Sequence, residues 1–272
     1  MKKTVIVFGS NGMLGRYLVS YLNTTNYHNV VPVKRPEIDA KKATYDTLFS
    51  FLNKYNGSIV INCIGKIPQR SDNEISDYIK INTLFPHLLS QCCKDTGNKL
   101  IHITTDCVFS GSKGDYTELD EHDETNIYGI SKSLGEPFNA TVIRTSIIGE
   151  ELENKKSLLE SIRSNNGGKF TGFTNHHWNG VTCLQLAKIL HHIIDNNALW
   201  TGVRHIHSPK SVTKYDLAEM IIDTYELNIE LIKTSAINNI DKTLSSVFDM
   251  QLEIPDIKNQ IHELREFSQY LA

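Results

Sequence analysis

Tyr128 and Lys132, in the run Tyr128-Gly-Ile-Ser-Lys132, stand four residues apart, a spacing that on a helix puts a phenol and an ammonium on one face. A free phenol titrates near 10 and exchanges protons poorly at neutral pH. A neighbouring cation favours its anion and fits it to protonate a carbonyl oxygen. Surface helices carry the same pair as a solvated face, so the pair gains meaning only from its company. That company lies upstream, where Leu100-Ile-His-Ile103 reads as a strand ending in Thr104-Thr105-Asp106-Cys107. Open α/β sheets bind ligands at the carboxyl ends of their strands, so a hydroxyl of Thr105 there can polarise a carbonyl. Ordinary strand-end hydrogen bonding is the competing use of these threonines. Cys107 has no base placed to activate a thiolate and is read as lining the substrate pocket.

A second group of residues has the chemistry to hold a nucleotide. Gly9-Ser-Asn-Gly12-Met-Leu-Gly15 follows an apolar run and opens a helical pattern. A pyrophosphate bound there meets free N–H groups and the positive end of a helix, while the glycines let backbone and ligand approach. A plain tight turn is the alternative, and the strand before and amphipathic helix after decide against it. At the end of the next strand, where an NAD-specific site places an acidic residue, stand Lys34 and Arg35. Two cations suit the 2′-phosphate of NADPH, with NADH the second choice and a solvated basic pair the bland reading.

The elements that must position these groups are legible as alternating patterns. Val5–Phe8, Val30–Val33, Ile59–Ile64, Leu100–Ile103 and Thr141–Arg144 are short, apolar and largely β-branched, and Leu14, Tyr17, Leu18, Tyr21 and Leu22 recur at helical spacing. Strand-helix alternation predicts a Rossmann-type, doubly wound parallel α/β sheet. Pro32 removes a ladder donor and must sit where the sheet tolerates that loss. The expected division is a dinucleotide-binding domain over 1–150 and a smaller, mainly C-terminal substrate-binding region over 151–272, some of whose segments return to the first domain. Capping boxes at Thr182-Cys-Leu-Gln185 and Thr213-Lys-Tyr-Asp216 open two helices there.

Composition narrows the function classes. A net charge of −3 without basic runs removes the footprint of a nucleic-acid binder, and no apolar run is long enough to span a bilayer. The apolar run after Met1-Lys2-Lys3 is too short for a signal peptide, and five cysteines without CxxC spacing fit a reducing compartment. A cytoplasmic location is therefore expected.

Taken together, GSNGMLG at 9, TTDCVFSG at 104, YGISKSLGE at 128 and IRTSIIG at 143 resemble the extended short-chain dehydrogenase/reductases, and within them the dTDP-4-dehydrorhamnose reductase branch. The likeness spans nearly the whole chain. It implies that Thr105, Tyr128 and Lys132 are catalytic, and that Gly9, Asn11, Gly12, Met13, Leu14 and Gly15 contact the cofactor. It also implies that Lys132 holds the nicotinamide ribose, that Cys63, Ile64 and Gly65 lie along the cofactor, and that Asp39 and Ala40 lie near the adenine. The implied activity is reduction of the C4 ketone of a nucleotide-linked 4-keto-6-deoxyhexose, either a UDP-2-acetamido-2,6-dideoxy-L-hexos-4-ulose or dTDP-4-dehydrorhamnose, in deoxysugar and polysaccharide biosynthesis. Relatives often form homodimers. The branch pattern is broken at Cys107, Lys66 and Ile147, where tyrosine, an aromatic residue and tryptophan are common.

The segment 169–180 is the expected substrate-covering loop. In it Trp178 can lie against a sugar or base and Asn179 can hydrogen-bond it, a core position for Trp178 being equally compatible with its type. His176-His177, His191-His192 and the pair His205 and His207 lack a third ligand at metal spacing, so they are read as structural and no metal site is expected. Two rival functions remain: an epimerase, which retains and regenerates its cofactor, and a non-catalytic NADPH-binding sensor or regulatory subunit. The intact threonine, tyrosine and lysine argue against the second.

Overall fold

In the first strand, β1 (Thr4–Phe8), Val5 and Val7 pack into one hydrophobic core while Ile6 and Phe8 pack into another on the opposite side. Side chains alternate across a strand, so a strand buried on both faces reads as continuously apolar. The computed structural model, describing residues 2–68, 74–152 and 155–271, repeats this split along the sheet. Ile59, Ile61, Ile101, Ile103 and Ile143 face the first core, and Val60, Leu100 and Val142 face the second.

From β1 the chain runs through α1 (Met13–Thr25), β2 (Asn29–Val33), α2 (Tyr45–Leu52), β3 (Ile59–Asn62) and α3 (Ile75–Tyr78). A π-helical stretch (Ile79–Leu84) leads into α4 (Phe85–Asp95), β4 (Lys99–Thr105), α5 (Ile127–Ser133) and β5 (Thr141–Thr145). Shorter pieces follow: β6 (Ile147–Ile148), α6 (Leu158–Arg163), β7 (Lys169–Phe173), β8 (His176–Trp178) and β9 (Val181–Thr182). The last part holds α7 (Cys183–Asp195), β10 (Gly202–His205), β11 (Val212–Thr213), α8 (Lys214–Thr224), β12 (Glu230–Thr234), β13 (Ile240–Asp241) and α9 (Ile257–Phe267).

Six strands form one parallel sheet in the order β10-β5-β4-β3-β1-β2. The chain leaves β1 towards β2 on one side and returns to β3 on the other, so the order reverses between β1 and β3 and opens a crevice at their carboxyl ends. β2 is an edge strand, which is why Pro32 is tolerated: its missing donor falls on one strand with a single neighbour. The strand expected over 59–64 stops at Asn62, and the next three residues form a loop.

Helix α1 buries Leu14, Tyr17, Leu18 and Leu22 against the first core, with α7 packed beside it. Fully burying one such leucine contributes about 1.5–3 kcal/mol. Of the two expected capping boxes, Thr213 and Asp216 form a reciprocal one, whereas at Thr182 the hydroxyl accepts from Gln185 N–H and the Thr182 N–H is taken instead by the Gln260 amide oxygen. Among the described residues no helix is long and apolar enough to cross a membrane.

Candidate active site

The glycine turn lies at the carboxyl end of β1 and is shaped by close approaches. Gly9 has φ +77°, and a Cβ on Gly15 would lie 2.2 Å from the Gly9 carbonyl oxygen. The first position needs the left-handed conformation and the second the missing side chain, which brings the first turn of α1 onto the strand end. Gly12 caps α1 without a side-chain acceptor, so first-turn amides remain for an anionic ligand. The backbone N–H groups of Gly9 and Ser10 donate to the Val33 carbonyl, which holds the end of β2 beside the turn. Lys34 and Arg35 follow directly and are exposed, as a pair meeting a phosphate from solvent would be. Asp39 holds the next turn, its carboxylate accepting from Lys41 N–H, and Ala40 packs against the second core.

On the other side of the crevice, Asn62 organises the loop Cys63–Gly65. It is fully buried, its amide oxygen accepts from Ile64 N–H at 3.0 Å, and its nitrogen meets Nδ1 of His102 at 3.1 Å. Burial holds the His102 imidazole well below its usual pKa and therefore neutral. A second asparagine completes the loop: Asn82, in the π-helical stretch, accepts from Lys66 N–H at 2.7 Å and donates to the Lys66 carbonyl and the Ser131 hydroxyl, both at 3.0 Å. Sequence reasoning gave neither asparagine a role. A polar residue amid apolar ones at a strand end or in a helix is a weak signal until its partners are known.

Helix α5 carries Tyr128 and Lys132 and is held by its glycines. A Cβ on Gly129 would lie 2.5 Å from the Cys107 carbonyl oxygen, and one on Gly135 would lie 1.8 Å from the Asn82 carbonyl oxygen. The motif's glycines thus let α5 seat against the strand-end turn on one side and the asparagine helix on the other. Lys132, 4% exposed, donates to the Ile103 carbonyl at 3.1 Å. A Cβ on Gly65 would stand 3.9 Å from its Nζ, so Lys132 reaches the loop that resemblance assigns to the cofactor. Burial lowers the Lys132 ammonium to about 8.

Thr105 ends β4, accepts from Cys107 N–H at 3.2 Å and donates to Asp106 at 3.1 Å. It also hydrogen-bonds the Tyr128 phenol, which lowers that pKa, but burial and the neighbouring Cys107 outweigh it and hold the phenol well above its ordinary value. The sequence expectation that Lys132 lowers the phenol is therefore corrected: desolvation dominates, while the Lys132 ammonium is engaged by a carbonyl. Burial and then the Asp106 charge push the Cys107 thiol up to about 12. Burial also raises Asp106, opposed by the ammoniums of Lys214 and Lys242, two residues that sequence reasoning did not bring to the site.

Trp178 is 3% exposed, its indole N–H donating to the Ser146 hydroxyl at 2.8 Å and its ring lying 5.1 Å from Lys214 Nζ. It is thus a buried residue packed beside the Lys214 ammonium. The Asn179 amide is engaged on both sides by the main chain of Leu244, at 2.7 and 2.9 Å, an anchoring contact. The remaining motif residues have structural partners. Arg144 pairs with Glu136 at 2.7 Å and meets His205 at 2.7 Å, tying β5 to the end of α5 and to β10. His207 lies beyond the end of β10, so the two histidines do not share a strand face.

The chain is similar to several known proteins. A profile of the RmlD substrate binding domain matches residues 1–271. The chain is 27% identical over 230 residues to a dTDP-4-keto-6-deoxy-D-glucose reductase of Streptomyces niveus, covering 79% of this chain and 76% of that protein. It is 22% identical over 253 residues to methionine adenosyltransferase 2 subunit beta of Mus musculus, covering 83% and 73%. The crystal structure of dTDP-4-dehydrorhamnose reductase from Bacillus anthracis in complex with NADP superposes with a TM-score of 0.85 at 20% identity, covering 98% of this chain and 100% of that one. That likeness shows the fold.

Proposed function

The chain belongs to the RmlD substrate binding domain family, and from that premise we propose that it is an NADPH-dependent reductase of the C4 ketone of a nucleotide-linked 4-keto-6-deoxyhexose. The observation that carries this reading is the meeting of Thr105, Tyr128 and Lys132 across β3 from the glycine turn. The glycine turn would hold the pyrophosphate of NADPH, and Lys34 and Arg35 its 2′-phosphate; when bound, the cofactor would supply the hydride. The cradle left by Gly9 and Gly15, the uncapped first turn of α1 and the loop ordered by Asn62 fit such a dinucleotide.

Tyr128 holds its proton at neutral pH because burial raises the phenol, so it enters the reaction as an acid. An alkoxide forming at C4 is nearly as basic as hydroxide and far more basic than a phenolate, so even a buried phenol protonates it. Lys132, fixed by the Ile103 carbonyl and reaching the loop at Gly65, would orient the nicotinamide ribose. Thr105 turns its hydroxyl from Asp106 to the ketone oxygen, where a donor gains strength as negative charge develops. Cys107, held neutral by burial, is no acid-base partner at neutral pH, which favours reduction over dehydration or epimerisation. Cys107, Lys66 and Ile147 replace residues common in dTDP-4-dehydrorhamnose reductases, which keeps both the UDP-linked 2-acetamido sugar and dTDP-4-dehydrorhamnose as substrates to be tested.

The test is loss of NADPH absorbance with purified protein offered both sugars. Turnover with either, reduced 10²–10⁴-fold by Tyr128→Phe while NADPH still binds, is the expected result, the size being that of a lost general acid of about this magnitude. Tight NADPH binding without turnover on any 4-keto sugar would overturn it in favour of a non-catalytic subunit, and full activity of the phenylalanine variant would remove the role given to Tyr128.

A further inference from the structure

We infer a divalent transition-metal site, of the zinc class, formed by His28, His191 and Asp195 at the end of the sheet opposite the active site. His28 lies just before β2, and His191 and Asp195 lie one helical turn apart on one face of α7. Their ligand atoms all fall within 4.8 Å of one another. Nε2 of His28 is 3.2 Å from Nδ1 of His191 and 3.8 Å from a carboxylate oxygen of Asp195. Zinc bound by nitrogen and oxygen at about 2.0–2.1 Å in a tetrahedron requires ligand-to-ligand edges of about 3.3–3.4 Å. The two measured edges bracket that value.

The alternative is a plain hydrogen bond between the two imidazoles, and it leaves the cluster poorly satisfied. One hydrogen shared between the facing ring nitrogens does nothing for the carboxylate, which has no hydrogen-bond donor among the described residues. Lys3 does not fill the role: its ammonium is taken up by the Ile194 and Asp195 carbonyls and the Asn197 amide oxygen. A cation above the triangle would engage all three lone pairs at once. The His28 side chain is 2% exposed and Asp195 48%, so the ion would be anchored from within and would keep a fourth position open to water. Tyr21 and Tyr27 pack around His191, with ring centroids 5.9 and 5.6 Å away, and restrict its rotation. Two nitrogens and one oxygen suit Zn²⁺, Ni²⁺ or Cu²⁺ and not Mg²⁺. The ion would clamp the start of β2 to α7, a structural role that does not depend on the proposed reaction. Sequence spacing missed it because 163 residues separate the two histidines.

The experiment uses the whole chain after chelation and dialysis. Calorimetric titration with ZnCl₂ should give one saturable site, and excess Zn²⁺ at about 100 times Kd should raise the Tm by about 5–10 °C, with no response to MgCl₂. Co²⁺ should give the intense visible absorption of a four-coordinate site. His191→Ala and Asp195→Asn, both at positions that solvent reaches, should each weaken Zn²⁺ binding at least tenfold while leaving the far-UV spectrum and metal-free Tm close to the parent's. Absence of saturable Zn²⁺ binding, or binding of equal strength in both variants, as thiols such as Cys63 would give, overturns the assignment.

Discussion

Replacing Lys132 by methionine should make the protein more stable at pH 7 while removing its proposed activity. The ammonium is 4% exposed, and burial brings it from 10.5 to about 8. At about 1.36 kcal/mol per pKa unit, holding that proton costs about 3 kcal/mol. The sign follows from proton counting. Below pH 8 both folded and unfolded chains carry the proton and the cost is complete. Between about 8 and 10.5 the unfolded chain binds more protons than the folded one, so the cost fades as pH rises and is gone above 10.5. Methionine removes the charge but also the hydrogen bond to the Ile103 carbonyl, worth about 1 kcal/mol. The variant should therefore be about 2 kcal/mol more stable at pH 7 and within about 1 kcal/mol of the parent at pH 10. Urea unfolding of both proteins at the two pH values, without cofactor, measures this. Cysteines and tyrosines that titrate in the same range cancel in the difference. Turnover should fall at least about 100-fold. A variant less stable at pH 7, or an advantage that is the same at pH 10, would refute the account of Lys132 as a destabilising charge retained for chemistry.

Three other perturbations test separate parts of the structure. Arg35→Ala should weaken NADPH binding by about 10–100-fold, the worth of a charge-assisted hydrogen bond, while NADH binding measured by fluorescence titration stays unchanged. Glu136→Gln leaves the Arg144 guanidinium, whose side chain is 3% exposed, without its counter-charge and should cost about 3–5 kcal/mol in urea unfolding. Gly135→Ala must separate α5 from the Asn82 carbonyl, which its Cβ would approach to 1.8 Å. The expected cost is about 1–3 kcal/mol, with a lower kcat, because Asn82 also holds Lys66 and Ser131; an unchanged kcat would separate the asparagine from the site.

What the sequence made legible was what local pattern controls. Strands buried on both faces announce themselves as apolar runs, and the two threonine caps fix where α7 and α8 begin. The residues proposed as catalytic stood out because their geometry is local: a strand end for Thr105, and one helical turn between Tyr128 and Lys132. What escaped were contacts between distant segments. Asn82 acts on residues 16 and 49 positions away, and Lys214 and Lys242 reach Asp106 from the far half of the chain. Trp178 and Asn179 were visible as residue types suited to a ligand, yet an indole N–H and an amide serve the interior equally well. Only the partners, Ser146 and Leu244, show which use is made of them here.

The same division runs through the motifs themselves. In YGISKSLGE, Tyr128 and Lys132 have the chemistry, while Gly129, Gly135 and Glu136 have none to offer a ketone. The two glycines let α5 approach the Cys107 and Asn82 carbonyls, and Glu136 neutralises Arg144 of the neighbouring strand. A reacting group must be held to within a fraction of an ångström, and a short helix of seven residues cannot supply that rigidity by its own hydrogen bonds. Backbone-to-backbone contact on two sides and a buried ion pair at its end can. The phenol and ammonium are therefore desolvated by the same contacts that position them, and the displaced pKa values of Tyr128 and Lys132 are a consequence of that positioning. Loosening α5 should return both groups towards their solution values, so a variant such as Gly135→Ala should shift the alkaline limb of the pH-rate profile upwards from about 8 as the Lys132 ammonium regains water. A limb that stays in place while kcat falls would mean that positioning and desolvation are separable in this site.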